Sequence, residues 1–193
     1  MNRRSLLYAF FLASCAGAQS RVGGTGAGQT GIVKVQVLRQ TDQGPSAVTN
    51  GATLHSGDRL RLIVEVPLPA FLYVVQQNAN NALVMLLPAP GAAPVSIQPG
   101  SPTRLPTEAQ WFVLDEEVGE ETLYLIATTR PLDSANVIQL LTSGDFTRDR
   151  DPPPLVPDKK RGITRSATSD STPLNENLSK DGIAVVRFRY LHE

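Results

Sequence analysis

The sequence predicts an all-β domain: an antiparallel β-sandwich of about seven strands, with one short helix and a long, disordered-like polar loop before the last strand. Three observations predict it. Short segments alternate apolar and polar side chains with period two, the signature of a strand with one face buried. Glycine and proline, 15 of each in 193 residues, interrupt nearly every connection between those segments. The last alternating segment is set apart by a stretch of Pro, Ser, Asp and Lys that has little to bury.

The chain opens on an export signal before any domain begins. Arg3 and Arg4 give a positive start, Ser5 to Ala13 supply about nine mostly apolar residues, and Ser14 and Cys15 follow. The run is far shorter than the ~20 residues a membrane-crossing helix needs, and it has the length of a signal-peptide core. Leu12-Ala13-Ser14-Cys15 resembles the bacterial lipobox, in which the cysteine thiol receives a diacylglycerol and the signal is cut just before it. Residues 1–14 are therefore expected to be a lipoprotein signal peptide, cleaved between Ser14 and Cys15. Cys15, the sole cysteine, would be the lipidated first residue of the mature chain. Arg3-Arg4-Ser5-Leu6-Leu7 also resembles a twin-arginine export signal, so the route is left open between the two export systems. Ala16 after the cysteine, where an aspartate would imply retention, implies the outer membrane with the domain facing the periplasm. Each buried methylene contributes about 0.8 kcal/mol, so two or more acyl chains hold firmly.

Residues 15–30 are rich in Gly, Ala, Ser and Thr and read as a flexible tether. Gly23 to Gly28 do not read as a phosphate loop, because no strand precedes them and no Lys-Ser/Thr follows. Residues 31–193 are assigned to a single sandwich domain with a polar excursion at 146–181.

Within that domain "IVKVQVL" turns Val33, Val35 and Val37 to one face, and "RLRLIVEV" turns Leu60, Leu62, Val64 and Val66 inward with Arg59, Arg61 and Glu65 outward. "AFLYVVQQ" (70–77) and "ALVMLLP" (82–88) are continuously apolar around the polar turn "NANN", and predict a central hairpin. "QWFVLD" (110–115) and "ETLYLIATT" (121–129) predict a second hairpin around "EEVGE". A helix is predicted from Ser134 as N-cap through Val137, Ile138, Leu140 and Leu141. The excursion 146–181, with "DPPPLVP" and "DKKRG", is too polar and too broken by proline to pack. In "GIAVVRFRYL" (182–191), Ala184, Val186, Phe188 and Tyr190 share a face, and the strand is expected beside "IVKVQVL". Trp111, Phe112, Tyr73 and Tyr124 read as core residues.

Charge excludes one class of partner. Lys plus Arg and Asp plus Glu number 18 each, and residues 31–145 carry six basic against eleven acidic side chains. No face is basic enough for nucleic acid. "DKKRG" reads as a solvated loop, with loose contact to anionic lipid or glycan as the alternative.

No residue is assigned to catalysis and no cofactor is implied. His55 stands beside Ser56 and Asp58, but a Ser-His-Asp triad is assembled in space, and Ser-Gly-Asp reads as a turn feeding a strand. The second histidine is His192. Asp115, Glu116, Glu117, Glu120 and Glu121 crowd the predicted second hairpin and form the candidate ligand face. They lack the alternating spacing of a calcium loop, so no metal is assigned; a solvated tip is the plain reading.

Ser56-Gly57-Asp58, Leu72-Tyr73-Val74, Leu87-Pro88, Leu105-Pro106 and Gly119-Glu120, in that order, resemble the bacterial family catalogued as domain of unknown function 4384, over roughly residues 50–133. The chain departs from that pattern at Pro69-Ala70 and Pro88-Ala89. The resemblance implies a small β domain of secreted lipoproteins, also appended to kinases, peptidases and repeat proteins, without known catalytic residues. The expected function is a lipid-anchored envelope binding or interaction module without catalytic activity, with membrane lipid bound through acylated Cys15 and an envelope protein or glycan as partner. A hydrolase of unrecognised type and a purely structural lipoprotein are the alternatives.

Overall fold

The computed structural model describes residues 31–143, 174–177 and 182–193. The signal peptide, Cys15, the tether and all of the 146–181 excursion except 174–177 lie outside the described residues. No described helix is long and apolar enough to cross a membrane.

Two mixed-length sheets stack face to face, as expected for a sandwich, with twelve strands among the described residues. The first sheet has the order β11 (Leu174–Asn177), β1 (Ile32–Thr41), β4 (Arg59–Glu65), β8 (Thr103–Leu105). The outer edge of β1 is shared by β11 and β2 (Gly44–Val48), and that of β4 by β8 and β9 (Phe112–Val113). In the second sheet the order is β3 (Ala52–Leu54), β12 (Ile183–His192), β10 (Gly119–Thr128), β5 (Ala70–Gln77), β6 (Leu83–Leu87), with β7 (Val95–Ile97) also on β5. All pairings are antiparallel except β3 on β12, which is parallel.

Alternation explains the core. Val33, Val35 and Val37 of β1 and Leu60, Leu62 and Val64 of β4 face Leu72 and Val74 of β5, Leu123 and Leu125 of β10, and Val186, Phe188 and Tyr190 of β12, all buried in one cluster. The continuous apolar runs in β5 and β10 have a separate cause. Their other face, Tyr73, Val75, Tyr124 and Ile126, is covered by Val137 and Leu141 of α1 (Ser134–Thr142), making a second small core. Tyr73 stitches this layer on: its hydroxyl donates to the Leu132 carbonyl at 2.9 Å and accepts from the Leu132 amide at 2.7 Å.

Five sequence expectations change. The 110–129 segment is not a hairpin, because β9 pairs with β4 in the first sheet while β10 belongs to the second. The β5–β6 hairpin exists, but β6 lies at the end of its sheet rather than at the centre. Strand β12 pairs with β10 over ten residues and with β3, and not with β1. Residues 174–177, within the excursion expected not to pack, form β11 on the edge of β1, and Leu174 packs partly against the core. Asp133, rather than Ser134, occupies the helix N-cap position. The Leu87-Pro88 and Leu105-Pro106 peptides are both cis.

Candidate functional site

At one end of the sandwich the inner face of the second sheet turns polar. Glu121 is in phase with Leu123 and Leu125 on β10, His192 with Phe188 and Tyr190 on β12, and Gln76 with Leu72 and Val74 on β5, so strand period two delivers three polar side chains to the innermost face. Glu121 and His192 are each only 1% exposed.

The carboxylate is held by a full set of donors. Glu121 Oε2 accepts from the Tyr190 hydroxyl at 2.5 Å and from Gln76 Nε2 at 2.6 Å, and Oε1 lies 3.1 Å from His192 Nδ1. An acceptor-only carboxylate requires Nδ1 to carry its proton. In the neutral imidazole Nε2 is then an acceptor, and Ser56 Oγ stands 3.1 Å from it, so the serine hydroxyl donates. The chain of hydrogen bonds runs Ser56 to His192 to Glu121. Burial, foremost, and then the adjacent Glu121 and Asp115 carboxylates push the Tyr190 phenol far above its ordinary range, keeping it a donor.

Two crossings between the sheets bring in the rest. The turn from β3 to β4 carries Ser56 on its exposed side, with Gly57 at φ 84°, a conformation glycine adopts without strain. The connection from β9 to β10 carries Asp115. The crossings are tied together: the Gly57 amide donates to the Leu114 carbonyl at 3.0 Å, and the Leu114 amide to the Asp58 carbonyl at 2.9 Å. The Ser56 amide donates to the Glu193 carbonyl at 3.3 Å. Asp115, Glu121 and His192 could each turn one ligand atom to a shared point, the atoms lying within 4.8 Å of one another. A transition metal there would have to displace the Nδ1 proton, since the ligand form of that nitrogen is bare.

The five acidic residues proposed as one face separate by strand alternation and by partner. Glu121 is buried; Glu120 pairs outward with Arg189. Glu117 accepts from Asn78 Nδ2 at 2.9 Å and from Asn80 Nδ2, and its amide donates to Asp115 Oδ1 at 2.9 Å. Asp115 and Glu116 remain exposed, between Val113 at 60% exposure and Val118 at 58%. His55 is exposed and belongs to the turn, with its amide donating to Asp58 Oδ2 at 3.0 Å. Among the aromatics, Tyr73 and Tyr124 are core, whereas Trp111 is half-buried under the Arg61 guanidinium, 3.9 Å from the ring centroid. Arg61, expected outward, is thereby buried, and its Nη2 donates to the Glu108 and Gln110 carbonyls at 2.9 and 3.2 Å.

His55 lies next to Ser56 in the chain, but His192, 136 residues away, lies next to it in space.

Residues 53–131 match the family model described as Domain of unknown function (DUF4384). The match contains Ser56, Asp115 and Glu121 and stops short of β12 with His192. The chain matches no curated protein and no solved structure.

Proposed function

We propose that this protein is a lipid-anchored binding module of the cell envelope, without catalytic turnover, held at the outer membrane by diacylglycerol on Cys15 and facing the periplasm. Residues 15–30 set the domain off from the lipid, and the partner is an envelope protein or a glycan. What supports binding at a particular place is the β9–β10 connection. Val113 and Val118 are two of the most exposed large apolar residues described, and they bracket the exposed Asp115 and Glu116. Apolar side chains held out in water with a polar rim mark an interaction surface. The bonds from Asn78, Asn80 and Asp115 hold this connection in one shape, which lowers the ordering cost of binding. Against a hydrolase stands the commitment of the Ser56 and Gly57 amides to carbonyl oxygens, since amides near a serine nucleophile usually stabilise the oxyanion.

The test is photo-crosslinking in intact envelopes with the crosslinking side chain at Val118 or at Ile32, which is 49% exposed at the opposite end of β1. A discrete adduct from position 118 and none from 32 is expected. Equal, diffuse labelling from both positions would sink the assignment of this face.

A further inference from the structure

We propose that Ser56 is an activated nucleophile and a stoichiometric acyl acceptor, with His192 as its general base and Glu121 as the positioning residue behind it. Three features converge. The buried end sets one direction: two donors on Glu121 Oε2 keep the carboxylate an acceptor and Nδ1 faces it with its proton, so in the neutral imidazole the lone pair of Nε2 points at Ser56 Oγ, 3.1 Å away. That is the tautomer a base needs in order to take a proton from serine. The second feature is access. Ser56 is exposed, while His192 and Glu121 are buried behind it, so an electrophile reaches the oxygen from solvent and the base from nowhere else. Third, the arrangement spans three separate chain segments, the β3–β4 turn, β10 and β12, each fixed by sheet pairing.

The electrophile class that suits a serine hydroxyl paired with a histidine base is an activated carboxylic ester. Ser56 Oγ attacks the carbonyl carbon as its proton passes to His192 Nε2. The carbon–oxygen bond to the alcohol portion then breaks, and the leaving alkoxide takes that proton from Nε2. The products are an acylated Ser56 and a free alcohol, with His192 neutral and Glu121 ionised as at the start. Because the Ser56 and Gly57 amides are already given to the Glu193 and Leu114 carbonyls, neither is available to the oxyanion. Each such missing donor slows a step of this kind by about 10²- to 10³-fold. Hydrolysis of the acyl-serine passes through an oxyanion of the same kind and lacks the same donors, so turnover is slow and a single acylation is what the site is set to show. The site adjoins the valine-flanked patch through Asp115 and the Gly57–Leu114 hydrogen bond, but its chemistry uses neither Val113 nor Val118, so its failure would leave the binding proposal standing.

A fluorophosphonate probe reads this directly, because the Oγ–P bond forms as fluoride leaves and the proton goes to His192. Full-length, detergent-solubilised protein is incubated with the probe and followed by intact mass, and the modified peptide is located by fragmentation. The expected result is a single adduct on Ser56 that is absent in Ser56→Ala. His192→Gln and Glu121→Gln should slow it about 10²- to 10⁴-fold, the range a general base supplies. The exposed Ser46, Ser96 and Ser101, which have no histidine bonded to them among the described contacts, serve as internal references and should stay unmodified. If His192→Gln does not fold, the wild-type site distribution decides alone. No adduct, an adduct spread over the reference serines, or an equal rate in folded His192→Gln overturns the proposal.

Discussion

His192 Nδ1 and Glu121 Oε1 face each other at 3.1 Å inside the end of the sandwich, and neither side chain reaches solvent. The pair closes the core where its apolar rungs stop. Removing the carboxylate leaves the Tyr190 hydroxyl, Gln76 Nε2 and His192 Nδ1 buried without their acceptor. Glu121→Ala is therefore expected to cost about 3–5 kcal/mol, the usual penalty for breaking a buried polar pair from one side. Glu121→Gln retains one acceptor oxygen and should cost less, about 1–3 kcal/mol. Urea unfolding curves of the two variants check the order; a wild-type midpoint for Glu121→Ala would show that the network carries no stability.

Tyr190 makes the alkaline limb of stability testable. An unfolded tyrosine titrates near its ordinary 10.0, whereas burial and the Glu121 contact hold the folded phenol protonated to higher pH. Above about pH 10 unfolding therefore releases a proton, and stability falls as pH rises, by up to about 1.36 kcal/mol per pH unit for this one group. Below that pH the group adds no slope. Tyr190→Phe should flatten the decline between pH 10 and 11.5, measured as denaturant midpoint against pH. An unchanged slope would mean that another group sets it.

The proposed anchor rests on one thiol. Cys15→Ser offers no thiol to acylate, so the variant is expected to accumulate as the precursor, to incorporate no labelled fatty acid and to partition into the aqueous phase of a detergent separation. Signal-free Cys15→Ser protein that still followed the detergent would overturn the lipid anchor.

Strand β11 should behave as a half-buried edge. Leu174 lies opposite Val35 and packs partly on the core, while Glu176 is exposed. Leu174→Ser is expected to cost about 1 kcal/mol, near half the yield of a fully buried leucine. Glu176→Ala should stay within about 0.5 kcal/mol of the wild type. Equal effects at the two positions would contradict the pairing with β1.

Alternation made most of the sandwich legible. Val33, Val35 and Val37, or Val186, Phe188 and Tyr190, announce their face without any tertiary information. The misreadings occur where tertiary contact overrides local pattern. Leu174 to Asn177 carry one apolar residue in four, and only the open edge of β1 makes them a strand. Phe112 and Val113 lie close in sequence to β10, but the connection crosses between sheets. Arg61 occupies an outward position and is buried because Trp111 and two backbone carbonyls receive it. The candidate site carries a signal of its own in the sequence. Glu121, His192 and Gln76 continue inward-facing apolar series, and a charged or polar residue in that register must be paired. What period two could not supply was the identity of the partner, since Ser56 reaches His192 through sheet pairing over 136 residues.

Phe188 joins the core to the site, and its loss should be felt in both. The side chain is 2% exposed, and its ring stacks on Tyr190 with centroids 5.7 Å apart. Tyr190 in turn donates to Glu121, so a cavity at position 188 removes the packing that holds the donor in place. Phe188→Ala is expected to lose about 3–5 kcal/mol, which for a domain of this size lowers the melting temperature by on the order of 10 °C. The burial of Phe188 in the core, on a strand paired with β10 over ten residues, requires that loss. An exposed strand awaiting a partner chain would instead tolerate the change and lose only binding. A wild-type melting temperature for Phe188→Ala, combined with loss of an envelope partner, would turn β12 from a core strand into an interaction edge.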